Sequence, residues 1–122
     1  MIGLSPTLPF FLCTRPVDMR KSFDGLCGEV RSFLGQDPAS GAVFLFVNRT
    51  RDRLKFLFFD RHGFWIFYKR LEAGRFELPR QMDGTPGLRM PWEELVFMLE
   101  GVDLASVRRR RRFGMKDISS IC

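Results

Sequence analysis

Three apolar runs decide the fold: AVFLFVN (Ala42 to Asn48), RLKFLFFD (Arg53 to Asp60) and FWIFYKRL (Phe64 to Leu71). Aromatic and β-branched residues suit a pleated sheet, and short turn-forming segments separate the runs. A shorter fourth run, RFELP, follows at Arg75 to Pro79. The pattern predicts an antiparallel β-meander, to which Phe10 to Thr14 adds a further short strand.

The tight turns set the predicted register of this meander. Pairing across the turn at His62 gives the pairs Phe59 with Phe64, Leu57 with Ile66, Lys55 with Tyr68 and Arg53 with Arg70. Pairing of Asn48 with Arg53 places Phe46 beside Lys55 and Phe44 beside Leu57. Both faces of the resulting sheet then carry apolar side chains, whereas a sheet with one wet face alternates apolar and polar residues. We therefore expect both faces to be covered, by helices, a second subunit or a partner.

Two helices are predicted, one on each side of the meander in sequence. The first has Asp18 as its N-cap, apolar residues at helical spacing and an end at Gly35. The second, PWEELVFMLEG, begins at Pro91 and ends at Gly101. We expect the first helix to cover one face of the sheet, and the second to cover the other face or to hold a partner's helix. The segment Arg80 to Met90 is expected to be an exposed loop.

Length and composition indicate one α+β domain. The chain has 122 residues, enough to bury one core. We assign residues 1–104 to an antiparallel meander of four to five strands packed against an N-terminal and a C-terminal helix, and residues 105–122 to a basic tail. No run reaches the ~18 apolar residues of a membrane span, and the three scattered cysteines favour a reducing compartment. We therefore expect a cytoplasmic protein without membrane contact.

The chain is basic, with a net charge of +6, and most of its basic residues are arginine. The planar fork of arginine suits phosphates and carboxylates, which favours nucleic acid or an acidic protein as a partner. One candidate phosphate patch lies at one end of the predicted sheet and comprises Arg49, Arg51, Arg53, Lys55, Lys69 and Arg70. The second is the tail run Arg108, Arg109, Arg110, Arg111 and Arg112. The alternatives are a solvated hairpin end and a solubilising arm.

Few groups suit catalysis. His62 is the only histidine, and no Gly-rich phosphate loop of the Walker type and no GxGxxG motif occur. The cysteines lack the spacing of metal ligands, and most of the scattered aspartates are expected to cap helices, form turns or pair with arginine. We expect no catalytic activity, no metal and no cofactor, and keep a metal-dependent nuclease subunit as a distant alternative.

Four segments carry a resemblance to a known family: PVDMRKSFDGL (Pro16 to Leu26), GQDPASGAVFLFVNR (Gly35 to Arg49), RLKFLFFDRHGFWIFYKRLEAGRFELP (Arg53 to Pro79) and LEGVDL (Leu99 to Leu104). The chain resembles the small accessory protein, called TnpB, of the insertion sequence sixty-six family of bacterial transposable elements. An unrelated RNA-guided nuclease has the same name. The resemblance implies a protein that a separate transposase needs for efficient movement of the element, with no known catalytic activity of its own.

The closest matches to the family motif are Asp18, Met19, Arg20, Lys21 and Asp24 at the predicted helix start, with Asp60, Gly63, Tyr68, Lys69 and Arg70 in the meander. Arg20 and Lys21 lie where the helix dipole does not stabilise a cation, which suggests an outside partner. Two hypotheses follow. The protein is an accessory factor that binds DNA or organises the transposase complex, or it is an adaptor that docks on the transposase without touching DNA. The doubly apolar sheet is also compatible with a homodimer.

Overall fold

The computed structural model of the protein describes residues 5–79 and 84–100. This part of the chain contains β1 (Phe10–Cys13), α1 (Phe23–Ser32), β2 (Val43–Val47), β3 (Arg53–Asp60), β4 (Gly63–Arg70), β5 (Gly87–Met90) and α2 (Trp92–Glu100). The strands form one sheet in the order β4-β3-β2-β1-β5. The predicted α+β class is confirmed. The predicted helix end at Gly101, the domain boundary after residue 104 and the arginine tail lie outside the described residues.

The β2–β3–β4 meander has the predicted register. Its β3–β4 ladder contains the pairs Phe59–Phe64, Leu57–Ile66, Lys55–Tyr68 and Arg53–Arg70, and the β2–β3 ladder pairs Phe46 with Lys55. The two-residue turn at Arg61 and His62 closes the β3–β4 hairpin. Because a hairpin's register follows from the length of its turn, the turn residues in the sequence were sufficient to set it.

The sheet differs from the prediction at two places. The segment Arg75–Pro79 is not a strand. Its Phe76 is instead buried beside α2 residues in a core cluster, and the Phe76 N–H donates to the Arg51 carbonyl over 2.6 Å. The predicted exposed loop at Arg80 to Met90 ends in strand β5, which pairs antiparallel with β1. The β5 pairing covers the edge of β1 that would otherwise leave backbone groups unpaired.

The sheet is also mixed rather than a pure meander, because β1 and β2 pair in parallel. Helix α1 lies between these two strands in the chain. A helix of this kind provides the crossover connection that parallel strands need. The predicted N-terminal strand is present as β1. It runs parallel to β2 because α1 connects the two strands.

Helix α1 begins later than predicted, and Asp18 is not its N-cap. Ser22 occupies the N-cap position. The Asp18 carboxylate accepts a hydrogen bond of 2.8 Å from the Arg20 N–H, a local turn that competes with helix formation. Gly25 lies inside α1 because the Lys21 side chain passes close to it, and a Cβ added at Gly25 would lie 3.0 Å from the Lys21 Cβ.

One helix packs on each face of the sheet, so the predicted double cover is confirmed for the central strands. Core residues on the α1 face are Val17, Leu26, Val30, Leu34, Phe44, Phe46 and Leu57. Those on the α2 face are Phe10, Leu12, Val43, Leu45, Val47, Leu54, Phe56, Phe76, Leu95 and Met98. The edge strand β4 is less covered, since its Trp65, Phe67 and Tyr68 are exposed. Neither described helix is long and apolar enough to cross a membrane.

Candidate functional site

A cleft of about 670 Å³ lies between the loop that precedes α1 and the turn that joins β2 to β3. Residues 16–20, residues 48–50, Arg53 and Tyr68 line it. We call this feature the basic cleft. It brings together part of the family motif (Asp18, Met19 and Arg20) and two of the predicted phosphate contacts (Arg49 and Arg53).

Lys55 fixes the loop wall of the basic cleft. Its side chain is buried, and its Nζ donates hydrogen bonds of 2.8 Å to the carbonyl oxygens of both Met19 and Lys21. The same Nζ lies 4.8 Å from the centre of the Tyr68 ring. A buried ammonium needs such partners to offset the loss of water. Because the Lys55 ammonium is buried and bonded to these carbonyls, the interpretation of Lys55 as a phosphate contact does not fit the structure.

Lys21 and Arg20 also have partners within the chain, contrary to the expectation of an outside partner. Lys21 Nζ lies 3.3 Å from the buried carboxylate of Glu29, which Arg15 contacts from the other side at 3.1 Å. Arg20 pairs with Asp18 at 2.6 Å. The expectation assumed that both cations lie in the first turn of a helix. In the structure they lie in the loop before α1, which begins at Phe23.

The electrostatics of the basic cleft depend on which arginines are neutralised. The hydrogen bonds from the Arg20 guanidinium lower the pKa of Asp18 to about 2, so Asp18 is ionised at neutral pH and offsets the charge of Arg20. Arg49 and Arg53 are exposed, and neither forms a salt bridge within the described residues. The cleft therefore has a surplus of positive charge on the β2–β3 side.

Asn48 and Asp52 build the turn that presents these two arginines. The Asn48 Oδ1 accepts from the N–H groups of Asp52 and Arg53 at 3.1 and 3.0 Å. The Asn48 side chain and the Thr50 hydroxyl donate to the Asp52 carboxylate and lower its pKa. The turn is therefore fixed by its own polar side chains, and both Arg49 and Arg53 stay exposed at its surface.

The other predicted phosphate contacts reach the same end of the sheet but do not join the cleft. The Lys69 ammonium donates to the Leu99 carbonyl at the end of α2. Arg70 pairs with Glu72 at 2.9 Å, and Arg51 lies in the turn without lining the cleft. The sequence thus located the basic end of the sheet but could not show which of its cations form contacts within the chain.

Asp24 lies exposed in the first turn of α1, also away from the cleft lining. The tail arginines Arg108, Arg109, Arg110, Arg111 and Arg112 lie outside the described residues, so their predicted role stays a prediction. Tyr68 was predicted to belong to the family motif but not to a site. Its predicted pairing with Lys55, next to Arg53, was the signal that could have placed it there.

A second surface is aromatic. Trp65 and Phe67 project from the other face of β4, with ring centres 6.4 Å apart and an interplanar angle of 14°. They are 47% and 37% exposed, and Phe97 of α2 is also exposed. We call Trp65 and Phe67 the edge aromatic surface, because β4 is the last strand of the sheet on this side.

The described residues contain no group of three or more His, Cys, Asp or Glu side chains that could hold a metal ion. Cys13 and Cys27 are buried, and burial raises the pKa of both thiols, which makes them poor nucleophiles at neutral pH. The expectation that the protein has no catalytic activity stays a prediction.

The chain matches the IS66 Orf2-like proteins over residues 8–109 and belongs to this family, a class of transposable-element accessory proteins. It is 37% identical over 110 residues to the uncharacterized protein y4jC of Sinorhizobium fredii, a match that covers 90% of this chain and 92% of that protein. It is 32% identical over 103 residues to the uncharacterized protein y4hO of the same organism, covering 84% and 88%. No solved structure matches the chain. The predicted resemblance is confirmed.

Proposed function

We propose that this protein is a DNA-binding accessory factor for the movement of an IS66-type element, and that it binds DNA phosphates through the basic cleft. The observation that carries the proposal is the pair of exposed arginines Arg49 and Arg53, which form no salt bridge within the described residues and lie beside the family motif. Arginine forms strong, charge-assisted hydrogen bonds with phosphate oxygens. Such contacts provide much of the affinity of proteins for DNA.

In this proposal the protein organises DNA and transposase, and the transposase performs the strand chemistry. The accessory chain supplies neither a metal nor a cofactor. Its family membership supports a transposase as partner, since members accompany the transposition system of IS66 elements. The tail arginines add a second, sequence-independent attraction to DNA.

Binding of the purified protein to a labelled duplex that contains the element's terminal inverted repeat tests this proposal. A scrambled duplex is measured in parallel, across salt concentrations of about 50 to 300 mM. Replacing both Arg49 and Arg53 by glutamine should reduce the slope of log K against log salt by about 1.8, if each guanidinium binds one phosphate. Arg61→Gln is the matched control, because Arg61 is an exposed arginine at the opposite end of β3.

A further variant, in which all five tail arginines become glutamine, separates the tail from the cleft. Preference for the terminal repeat that persists in this variant would mean that the described domain recognises the element's ends. Binding that depends only on the tail would remove the cleft from the proposal. No binding of the wild-type protein at any salt concentration would overturn DNA binding altogether.

A second candidate function is an adaptor that docks on the transposase. The edge aromatic surface favours it, because exposed aromatic side chains are common anchors of protein interfaces and an edge strand offers backbone groups to a partner. The double variant Trp65→Ala, Phe67→Ala should then abolish a complex with the transposase that survives high salt. Sedimentation of the protein alone tests whether the same surface forms a homodimer instead.

A further inference from the structure

We propose that the basic cleft binds single-stranded nucleic acid, with one unpaired base stacked on Tyr68 and the neighbouring phosphates on Arg49 and Arg53. The proposal rests on the proposed function and deepens it, since it names the form of nucleic acid that the cleft takes. It uses Tyr68, the one aromatic side chain among the described residues that line the cleft.

Tyr68 is an exposed ring with a fixed support. The side chain is 51% exposed where it lines the cleft, and the Lys55 ammonium contacts the ring from the sheet. Lys55 cannot move away without losing its two buried hydrogen bonds to the loop carbonyls. The ring is therefore held in place before any ligand binds, which reduces the entropy lost on binding.

The ring and the charges lie close enough together to serve one nucleotide. The Arg53 Nη1 is 3.5 Å from the Tyr68 hydroxyl, so a phosphate bound to Arg53 lies beside the ring. Arg49 extends the positive charge along the cleft wall. A basic groove that follows the backbone, with an aromatic ring for a base, is the combination that single-strand binding proteins use.

The shape of the cleft favours an unpaired strand over a duplex. Its volume of about 670 Å³ lies within the roughly 300–1,000 Å³ of small-ligand sites. A duplex presents its phosphates and base edges but keeps the base faces stacked inside, so a ring in a cleft can reach a base face only when the base is unpaired. Proteins that read a duplex insert a protruding helix or ribbon into a groove, whereas Arg49 and Arg53 line one side of an open cleft.

An acidic protein segment is the competing ligand, because carboxylates also bind guanidinium groups. Such a segment would use the arginines but has no need for the face of Tyr68. The side chain at position 68 therefore distinguishes the two ligands.

The test compares an oligothymidylate of about eight nucleotides, within the site sizes of single-strand binders, with a hairpin duplex of the same charge. In the full-length chain, Tyr68→Ala should weaken binding of the single strand by about 5- to 150-fold, because stacking of one base is lost. Tyr68→Phe retains the ring and should bind within about twofold of wild type, since the main interaction is stacking. Trp65→Ala removes an equally exposed ring from the other face of β4 and is the matched control.

A 2-aminopurine placed in the single strand reports stacking directly, because stacking quenches its emission. Quenching with the wild type and Tyr68→Phe but not with Tyr68→Ala would support the proposal, whether or not the alanine variant is less stable. Equal weakening of single strand and duplex by Tyr68→Ala would overturn it. So would binding of the single strand by Tyr68→Ala that is as tight as binding by the wild type.

The two proposals fail in different ways. Wild-type binding of the duplex with no change in any Tyr68 variant would leave DNA binding in place and remove the single-strand site. Absence of binding to both nucleic acids would remove the proposed function and this inference together.

Discussion

Strands β2 and β4 both carry apolar residues on both faces, but β2 is buried and β4 is largely exposed. Every residue of β2 is buried, whereas on β4 Trp65, Phe67 and Tyr68 are 47%, 37% and 51% exposed. Strand β2 lies in the middle of the sheet, and β4 lies at its edge. Apolar residues on both faces of a strand therefore indicate burial only when the strand is central. On an edge strand the same pattern leaves an exposed apolar surface, which is typical of interaction sites.

The largest effect should come from truncating a matched residue on each strand. Phe46→Ala on β2 should lower the free energy of unfolding by about 3–5 kcal/mol, because the side chain is fully buried and its removal leaves a cavity. Phe67→Ala on β4 should lower it by less than about 1.5 kcal/mol, because that ring already contacts water. Urea unfolding of both variants measures the difference. A loss at Phe67 as large as that at Phe46 would mean that the exposure of β4 does not reduce the cost of truncation.

Two neighbouring basic residues on β3 sharpen the comparison for polar side chains. Lys55→Met preserves the packing of the stem but leaves two loop carbonyls without a donor, and should cost about 2–3 kcal/mol. Arg53→Met, two residues away and exposed, should change stability by less than about 0.5 kcal/mol. Thermal or urea unfolding measures both. A Lys55→Met variant as stable as wild type would mean that water can replace the ammonium.

These two residues also show what could be predicted of the site from the sequence. The hairpin register follows from local turns, so the clustering of basic residues at one end of the sheet was predictable. Which of these residues is buried was not predictable from the sequence, because burial depends on where the loop before α1 packs. Lys55 lies under that loop and Arg53 lies beside it, yet in the sequence both are basic residues of the same predicted strand.

The fold was predictable where local patterns decide it and unpredictable where distant pairing does. The two helices and the three long strands have clear periodicity. Strand β5 has only the four residues GLRM, and it forms because β1 provides an edge for it. The segment around Phe76 has a strand-like sequence, yet it is irregular, and Phe76 packs in the core cluster that contains the buried residues of α2. Asp18 matches an N-cap pattern, but the turn it forms with Arg20 satisfies the same chemistry outside a helix.

Removing a buried ion pair should cost more stability than removing an exposed one, although both effects should be smaller than those of Phe46→Ala and Lys55→Met. Glu29→Gln should cost about 1–2 kcal/mol, because its buried carboxylate accepts from both Arg15 and Lys21. Glu72→Gln removes the exposed partner of Arg70 and should change stability by less than about 0.5 kcal/mol. Salt titration of the unfolding free energy distinguishes the pairs, since salt screens the exposed pair more strongly. Equal salt sensitivity would contradict the difference in burial.

The smallest effect concerns the exposed pair of Asp18 and Arg20 at the mouth of the cleft. The pKa of Asp18 is about 2 in the folded protein because of Arg20, and about 3.9 in an unfolded chain. Its contribution to stability is therefore complete above about pH 4 and is lost as the pH falls through about 2. Stability should fall more steeply over this interval in the wild type than in Asp18→Asn.

NMR titration of the Asp18 carboxyl measures this pKa directly, and Arg20→Gln is the control in which it should return toward its ordinary value. The same titration in the presence of oligothymidylate tests how the cleft uses Arg20. If Arg20 leaves Asp18 to bind a phosphate, the pKa of Asp18 should rise in the complex. An unchanged pKa would show that Arg20 stays paired, and that Arg49 and Arg53, rather than Arg20, provide the positive charge of the cleft.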